Sequence, residues 1–127
     1  MKIPFKKYLT TKWPAILWSV FVFVLLAVPV SYFSREPKLT VSNLDKAVHF
    51  VLFFLLVTLW GFYFKQNFPG TYRKLLAIVV ILSVIYGVAM EYIQLFTGRD
   101  FDVWDMAADA IGSFTGVLLV TVKNKPR

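Results

Sequence analysis

Ionisable and amide side chains gather where one long apolar stretch ends and the next begins. Five of the seven acidic residues lie between positions 91 and 109, together with Gln94 and Arg99. A buried charge needs a partner, and ionisable residues inside apolar helices commonly mark functional sites. His49, the single histidine of the chain, and Glu91 are therefore the candidate acid–base residues.

The spacing of these residues predicts shared helix faces, because residues three or four apart are neighbours on a helix. Such pairs are Asp45 with His49, Glu91 with Gln94, and Asp105 with Asp109. We expect the three pairs to converge in one polar layer. The predicted ligand-binding residues are Asp45, Lys46, His49, Glu91, Gln94, Arg99, Asp105 and Asp109.

Structural roles compete with this interpretation at several positions. Asp45, Asp102 and Asp105 have the type and placement of helix-capping residues. Arg99 could serve only to neutralise Glu91 or Asp102, and His49 could be a hydrogen-bonded interior histidine. Capping does not explain Glu91 or Asp109, which lie well inside apolar segments.

Composition indicates a membrane protein. The 127 residues are 58% hydrophobic and 17% charged, against about 25% charged in soluble domains. The absence of cysteine excludes disulfides and thiolate chemistry. The net charge of +7 comes from short basic clusters between apolar runs, which is typical of membrane proteins, so we expect no nucleic-acid partner.

Four apolar runs predict an all-α, polytopic bundle of four transmembrane helices in a single domain, residues 1–127. The runs cover about 13–33, 47–64, 75–96 and 104–122, and about 20 residues span a bilayer. The first run is longer than a signal-peptide core of roughly 7–15 residues, which favours an uncleaved anchor. The fourth begins with acids, and its purely apolar part starts at Ala110.

Turn and cap residues separate the runs. Ser42 to Asp45 has capping-box spacing, and Pro69-Gly70 predicts a turn. Gly98 stands where a helix-ending glycine is expected, and Asp102 can cap the fourth helix.

The distribution of Lys and Arg predicts that both termini are cytoplasmic. Ten of the 14 basic residues flank the helix ends that would lie on one side of the membrane, and the other four flank the helix ends on the opposite side. The side with more Lys and Arg usually faces the cytoplasm. The polar layer would then face the extracytoplasmic side of the membrane. Gly112 and Gly116 form a small-residue stripe that could pack helices within the chain or between two copies.

The polar residues, taken together with their spacing, resemble the VanZ-like family of small bacterial membrane proteins. The resemblance covers about residues 45–116 and lies in three motifs. They are Asp45-Lys-x-x-His49-Phe, Glu91-x-x-Gln94-x-Phe96-x-x-Arg99 and Asp105-x-x-Ala108-Asp109-x-x-Gly112. The family pattern most often has asparagine where this chain has Asp109. The resemblance implies a cell-envelope role like that of the family's namesake, which is associated with low-level resistance to the glycopeptide teicoplanin.

Two functions from different classes fit these residues. The first is binding, without catalysis or cofactor, of a lipid headgroup, cell-wall precursor or lipidated glycopeptide in an extracytoplasmic pocket. The second is an intramembrane enzyme with His49 or Glu91 as general base and Arg99 holding an anion. A transporter ranks third, because no polar residues continue toward the cytoplasm. We expect no dedicated metal ligands, and we expect Asp109 either to be protonated or to share a bound cation with Glu91.

Overall fold

The computed structural model describes residues 5–28 and 42–123, and these are helical apart from short connections. The helices are α1 (Phe5–Leu9), α2 (Lys12–Ala27), α3 (Ser42–Asn67), α4 (Tyr72–Phe96) and α5 (Val103–Val122). The described residues contain no strand, so the all-α prediction is confirmed for them. The side chain of Ser42 is outside the described part, and with it the predicted capping box.

Three helices are long and apolar enough to cross a membrane. These segments are Leu44–Asn67, Tyr72–Phe96 and Val103–Val122. The last includes the run with the acidic start, so its acids do not prevent a helix of spanning length. The fourth apolar helix, α2, has only 16 residues, or about 24 Å at 1.5 Å per residue, less than the bilayer core of about 30 Å.

Helix α2 ends earlier than the predicted 13–33. Val28 has φ −66° and ψ 130°, an extended conformation. It precedes Pro29, whose ring disfavours helical backbone in the residue before it. The predicted continuation over residues 29–33 lies outside the described residues.

The connection between α4 and α5 has the predicted turn chemistry. Gly98 adopts φ +83°, the left-handed conformation that glycine permits at a helix end, and the Arg99 amide donates to the Gln94 carbonyl at 3.0 Å. The Asp102 side chain accepts from the Trp104 amide at 2.8 Å. The chain therefore leaves α4 and enters α5 within a few residues, which keeps the polar ends of the two helices together.

Helices α3 and α4 form the centre of the bundle, and α2 and α5 each pack against both. Large apolar side chains cover the outside of the bundle, including Leu17, Ile81, Ile85 and Leu118, each about 60% exposed. Contiguous apolar surface of this kind marks a membrane or protein contact. The buried set instead includes His49, Glu91, Asp105 and Asp109. Apolar outside and polar inside is the arrangement expected when the solvent is lipid.

The contact between α3 and α5 depends on two glycines. A Cβ on Gly112 would collide with the Phe50 carbonyl oxygen, and one on Gly116 would lie 2.8 Å from the Phe54 carbonyl oxygen. Both glycines are buried, so the two backbones approach closely within one chain. Of the two alternatives for this stripe, packing within the chain is present, and a homo-oligomer through Gly112 and Gly116 stays a prediction.

Candidate functional site

Three helix ends meet at one end of the bundle and bring the predicted polar residues together. The first turns of α3 carry Asp45 and His49, the last turns of α4 carry Glu91, and the first turns of α5 carry Asp105 and Asp109. Of these five side chains, only Asp45 is exposed, and the other four are at most 3% exposed. The layer predicted from helix spacing is therefore present.

His49 lies between two carboxylates of α5. Its Nδ1 is 2.9 Å from Asp109 Oδ1, and its Nε2 is 3.6 Å from Asp105 Oδ2. If Asp109 is ionised, it can only accept; His49 Nδ1 then carries the hydrogen, and a neutral ring has its lone pair on Nε2. A Cβ on Gly87 would lie 2.7 Å from Asp109 Oδ2, so this glycine provides the space for the acid.

Lys46 and Asp102 form the edge of the site. Lys46 Nζ is 3.0 Å from Asp102 Oδ2 and 3.8 Å from Asp105 Oδ1. The hydrogen bond from Lys46, supported by that from the Trp104 amide, lowers the pKa of Asp102 below its ordinary value. Lys46 therefore forms its closer ion pair with the half-buried Asp102 and lies beside the buried Asp105.

Glu91 is joined to the start of α5 through the backbone. The Asp102 amide donates to Glu91 Oε2 at 3.0 Å, and the Glu91 side chain is fully buried. Glu91 thus fixes the approach of the α4–α5 connection with one oxygen and presents the other, Oε1, to the interior.

Several buried polar atoms have no hydrogen-bond partner among the described residues. They are His49 Nε2, Thr58 Oγ1, Glu91 Oε1, Asp105 Oδ1 and Asp109 Oδ2. Four of the five belong to the polar layer. An unpaired buried polar group costs about 1–3 kcal/mol, and more when it is charged. This concentration is typical of a site completed by water, an ion or a ligand.

Two predicted ligand-binding residues have other surroundings. Gln94 is buried, and its Nε2 donates to the Leu26 carbonyl at 3.2 Å, so it satisfies a free carbonyl at the end of α2. Arg99 is partly exposed, and its side chain forms no ion pair with any residue of 5–28 or 42–123. The idea that Arg99 neutralises Glu91 or Asp102 was wrong for this part of the chain, since Lys46 pairs with Asp102.

Glu91 and Asp109 each use one carboxylate oxygen within the chain. Asp109 bonds to His49, and Glu91 accepts from the Asp102 amide. Their other oxygens have no partner among the described residues, so a cation shared by the two acids stays a prediction. Within the described residues, the set whose ligand atoms lie within 4.8 Å of one another is Asp45, His49 and Asp105. Dedicated metal ligands were not expected from the sequence, yet these three side chains could hold one ion.

Sequence reasoning missed two contributors to the site. Asp102 was recognised as a cap, but not as the partner of Lys46 or as the donor to Glu91. Gly87 carries no polar group, and its role appears only when α4 and α5 are placed together. No local pattern signals either contact, because both join separate helices.

Comparison with known proteins finds the family that the residues of the polar layer resemble. A family model described as VanZ/LLP1 matches residues 3–124. A fission yeast protein, Uncharacterized protein C11E3.10 of Schizosaccharomyces pombe, is 31% identical over 109 residues, which make up 84% of this chain. The chain spans less than two thirds of that relative, 64% of its length.

No solved structure matches the chain. The fungal relative shows that similar proteins are not confined to bacteria, so similarity alone does not place this chain in a bacterial envelope. The family model covers nearly the whole chain, including all three motifs of the polar layer. The chain belongs to the VanZ/LLP1 family.

Proposed function

We propose that this chain is an integral membrane protein that binds the headgroup of a lipid or lipid-linked molecule in its polar layer. The observation that carries the proposal is the set of buried acids at one end of a bundle with an apolar exterior, each with one oxygen that has no hydrogen-bond partner among the described residues. A molecule anchored in the bilayer reaches such a site with its headgroup while its chains stay in lipid.

The charge of the layer selects the headgroup. Asp45, Glu91, Asp105 and Asp109 face His49 and Lys46, and Lys46 is already paired with Asp102. An excess of carboxylates favours an amine directly, and it accepts a phosphate only through a bridging cation. Lipids with amine headgroups, cell-wall precursors and lipidated glycopeptides all carry suitable groups, which keeps the resistance-like role within the proposal.

An apolar cavity supports a lipid ligand. It has a volume of about 360 Å³ and lies between α2, α3 and α4, with Leu56, Trp60, Leu82 and Tyr86 in its wall. The volume lies within the range of small-molecule pockets, about 300–1,000 Å³. Its lining suits an acyl chain, and none of its residues belongs to the polar layer.

Binding is tested with the purified chain in detergent by native mass spectrometry. We expect phosphatidylethanolamine to bind at least ten-fold more tightly than phosphatidylglycerol in metal-free buffer. Glu91→Gln should weaken the binding of phosphatidylethanolamine, and Asp100→Asn is the matched control because Asp100 is exposed and outside the layer. If wild type binds both lipids equally with and without divalent ions, and Glu91→Gln binds like wild type, headgroup recognition by this layer is excluded.

We also propose the sidedness of the site, with the layer on the extracytoplasmic side and both termini in the cytoplasm. It is supported by the excess of Lys and Arg at the opposite ends of the helices. In a bacterial host this corresponds to the outer leaflet of the cytoplasmic membrane.

A second candidate function is intramembrane catalysis, and the His49–Asp109 pair is the observation that favours it. A carboxylate on Nδ1 orients the imidazole and leaves Nε2 as a base, the relation found in acid–base catalysis. The substrate would be a lipid-linked molecule whose hydroxyl or attacking water reaches Nε2. The test is to incubate lipid extracts with the purified proteins and measure whether a lipid is converted to a product. Conversion by wild type and Asp100→Asn, but not by His49→Gln, would favour the enzyme over the binding protein.

A further inference from the structure

We propose that Asp45, His49 and Asp105 bind one divalent transition-metal ion, with Asp109 as the residue that positions the imidazole. The site lies between the first turns of α3 and α5. This metal site does not depend on headgroup binding and is tested without any lipid.

The geometry between His49 and Asp105 suits a shared ion better than a direct bond. The distance from Nε2 to Asp105 Oδ2 is 3.6 Å, too long for a hydrogen bond. Two ligands about 2.1 Å from one tetrahedral ion lie roughly 3.4 Å apart. One ligand atom from each of Asp45, His49 and Asp105 lies within 4.8 Å of the others. Side-chain rotations that shorten these separations by up to about 1.4 Å bring the three ligands to the spacing of one tetrahedral ion.

Burial supplies an independent observation. His49 is 1% exposed, and its Nε2 has no hydrogen-bond partner among the described residues. This unpartnered nitrogen faces Asp105, which is 3% exposed and also has an unpartnered oxygen, Oδ1. A metal ion would accept the lone pair of Nε2 and offset the charge of the carboxylates.

Asp109 contacts the imidazole of His49 and not the proposed ion. Its Oδ1 is 2.9 Å from His49 Nδ1. Histidines that bind metals usually donate their other ring N–H to a carboxylate, which fixes the tautomer and strengthens the ligand. This gives the acid at position 109 a role that does not require it to touch the ion.

The donor set indicates the class of metal. One imidazole nitrogen and two carboxylates suit zinc or manganese, whereas calcium and magnesium prefer oxygen alone. Asp45 is exposed, so the ion would be reached from the membrane surface. Three protein ligands leave a fourth position of a tetrahedral ion open, where a phosphate group could bind.

Metal binding is tested on the purified full chain in detergent, stripped with a chelator and without added lipid. After dialysis against Zn²⁺ or Mn²⁺, we expect one ion per chain, and X-ray absorption should show one imidazole among nitrogen and oxygen ligands. Asp105→Asn and His49→Gln should lose the ion. Asp109→Asn should bind it about 10–100-fold more weakly, and Asp100→Asn should match wild type.

Three results would overturn the site. They are folded wild type that retains no stoichiometric ion, a metal spectrum without imidazole, and equal affinity in wild type and Asp105→Asn. If a variant does not fold, the absorption spectrum of wild type decides. A chain that binds metal but no headgroup keeps the metal site and refutes the proposed function, and the reverse result refutes only the metal.

Discussion

At the scale of single residues, the site consists of polar groups whose partners lie on other helices. His49 and Asp109 are separated by 60 positions, and Lys46 and Asp102 by 56. Helix spacing could predict which residues share a face, since that depends on local geometry. It could not predict that Asp109 bonds to His49, because the rotation of α3 against α5 depends on how Gly112 and Gly116 pack.

The residue at the edge of the site is expected to tolerate neutralisation. Asp102→Asn keeps the cap, because asparagine caps a helix nearly as well as aspartate. The substitution removes the ion pair with Lys46. The side chains of Lys46 and Asp102 are 30% and 35% exposed, so solvent screens their attraction. We expect a small decrease in thermal unfolding temperature, with the protein still inserted in membranes. A loss of folded protein would show that the Lys46–Asp102 pair is essential.

The same pair predicts a direction for the pH dependence of stability. The pKa of Asp102 is lower in the folded chain than its ordinary value. The stabilisation that ionised Asp102 contributes is therefore present above the ordinary pKa of aspartate. It is lost as the pH falls through the lowered pKa of Asp102 in the folded chain. In acid, wild type should lose more stability than Asp102→Asn, as measured by thermal unfolding against pH. Parallel curves for the two proteins would contradict this.

At the scale of elements, the helices follow from apolar runs and end residues, and their contacts follow from shape. Gly98 and Asp102 could be assigned from their types, and the structure confirms both. The early end of α2 could also have been predicted, because Val28 precedes Pro29. In contrast, Gln94 supports α2 by donating to the Leu26 carbonyl, and nothing near Gln94 in the sequence indicates a partner 68 positions away.

The α3–α5 contact predicts a ranked effect of added methyl groups. Gly112→Ala meets the Phe50 backbone, which cannot move aside, and we expect a loss of about 1–3 kcal/mol. Gly116→Ala should cost less, because its nearest contact, Phe54 O at 2.8 Å, is less severe. Gly70→Ala is the control, since nothing lies within 4 Å of its Cβ position. Unfolding in denaturing detergent measures all three, and equal stability of the four proteins would refute close packing here.

At the scale of the whole molecule, apolar helices carry a polar layer at one end only. The three membrane-length helices and the apolar exterior were predictable from composition, because lipid contact requires them. The side of the membrane that the layer faces depends on the basic residues that flank the helices. The apolar cavity between α2, α3 and α4 was not predictable, since it results from the packing of three helices.

Reporter fusions test the orientation of the bundle. A reporter active only outside the cytoplasm should be active when fused after Pro37 or Gly98. It should be silent after Gly70 or Arg127, where basic residues flank the helices. An active reporter at Gly70 would show that the bundle has the opposite orientation, with the polar layer in the cytoplasmic leaflet.

The central claim is that the buried acids form a ligand site and do not serve mainly to stabilise the fold. Asp105→Asn tests it most directly, because Asp105 is buried with an unpartnered oxygen and asparagine has nearly the same shape. Without metal or lipid, neutralising a buried carboxylate that has an unpartnered oxygen should leave the unfolding temperature unchanged or raise it. Binding of phosphatidylethanolamine, measured on the same sample, should fall at least ten-fold. A decrease of roughly 5 °C or more, which corresponds to about 1 kcal/mol or more, together with unchanged binding, would contradict the claim.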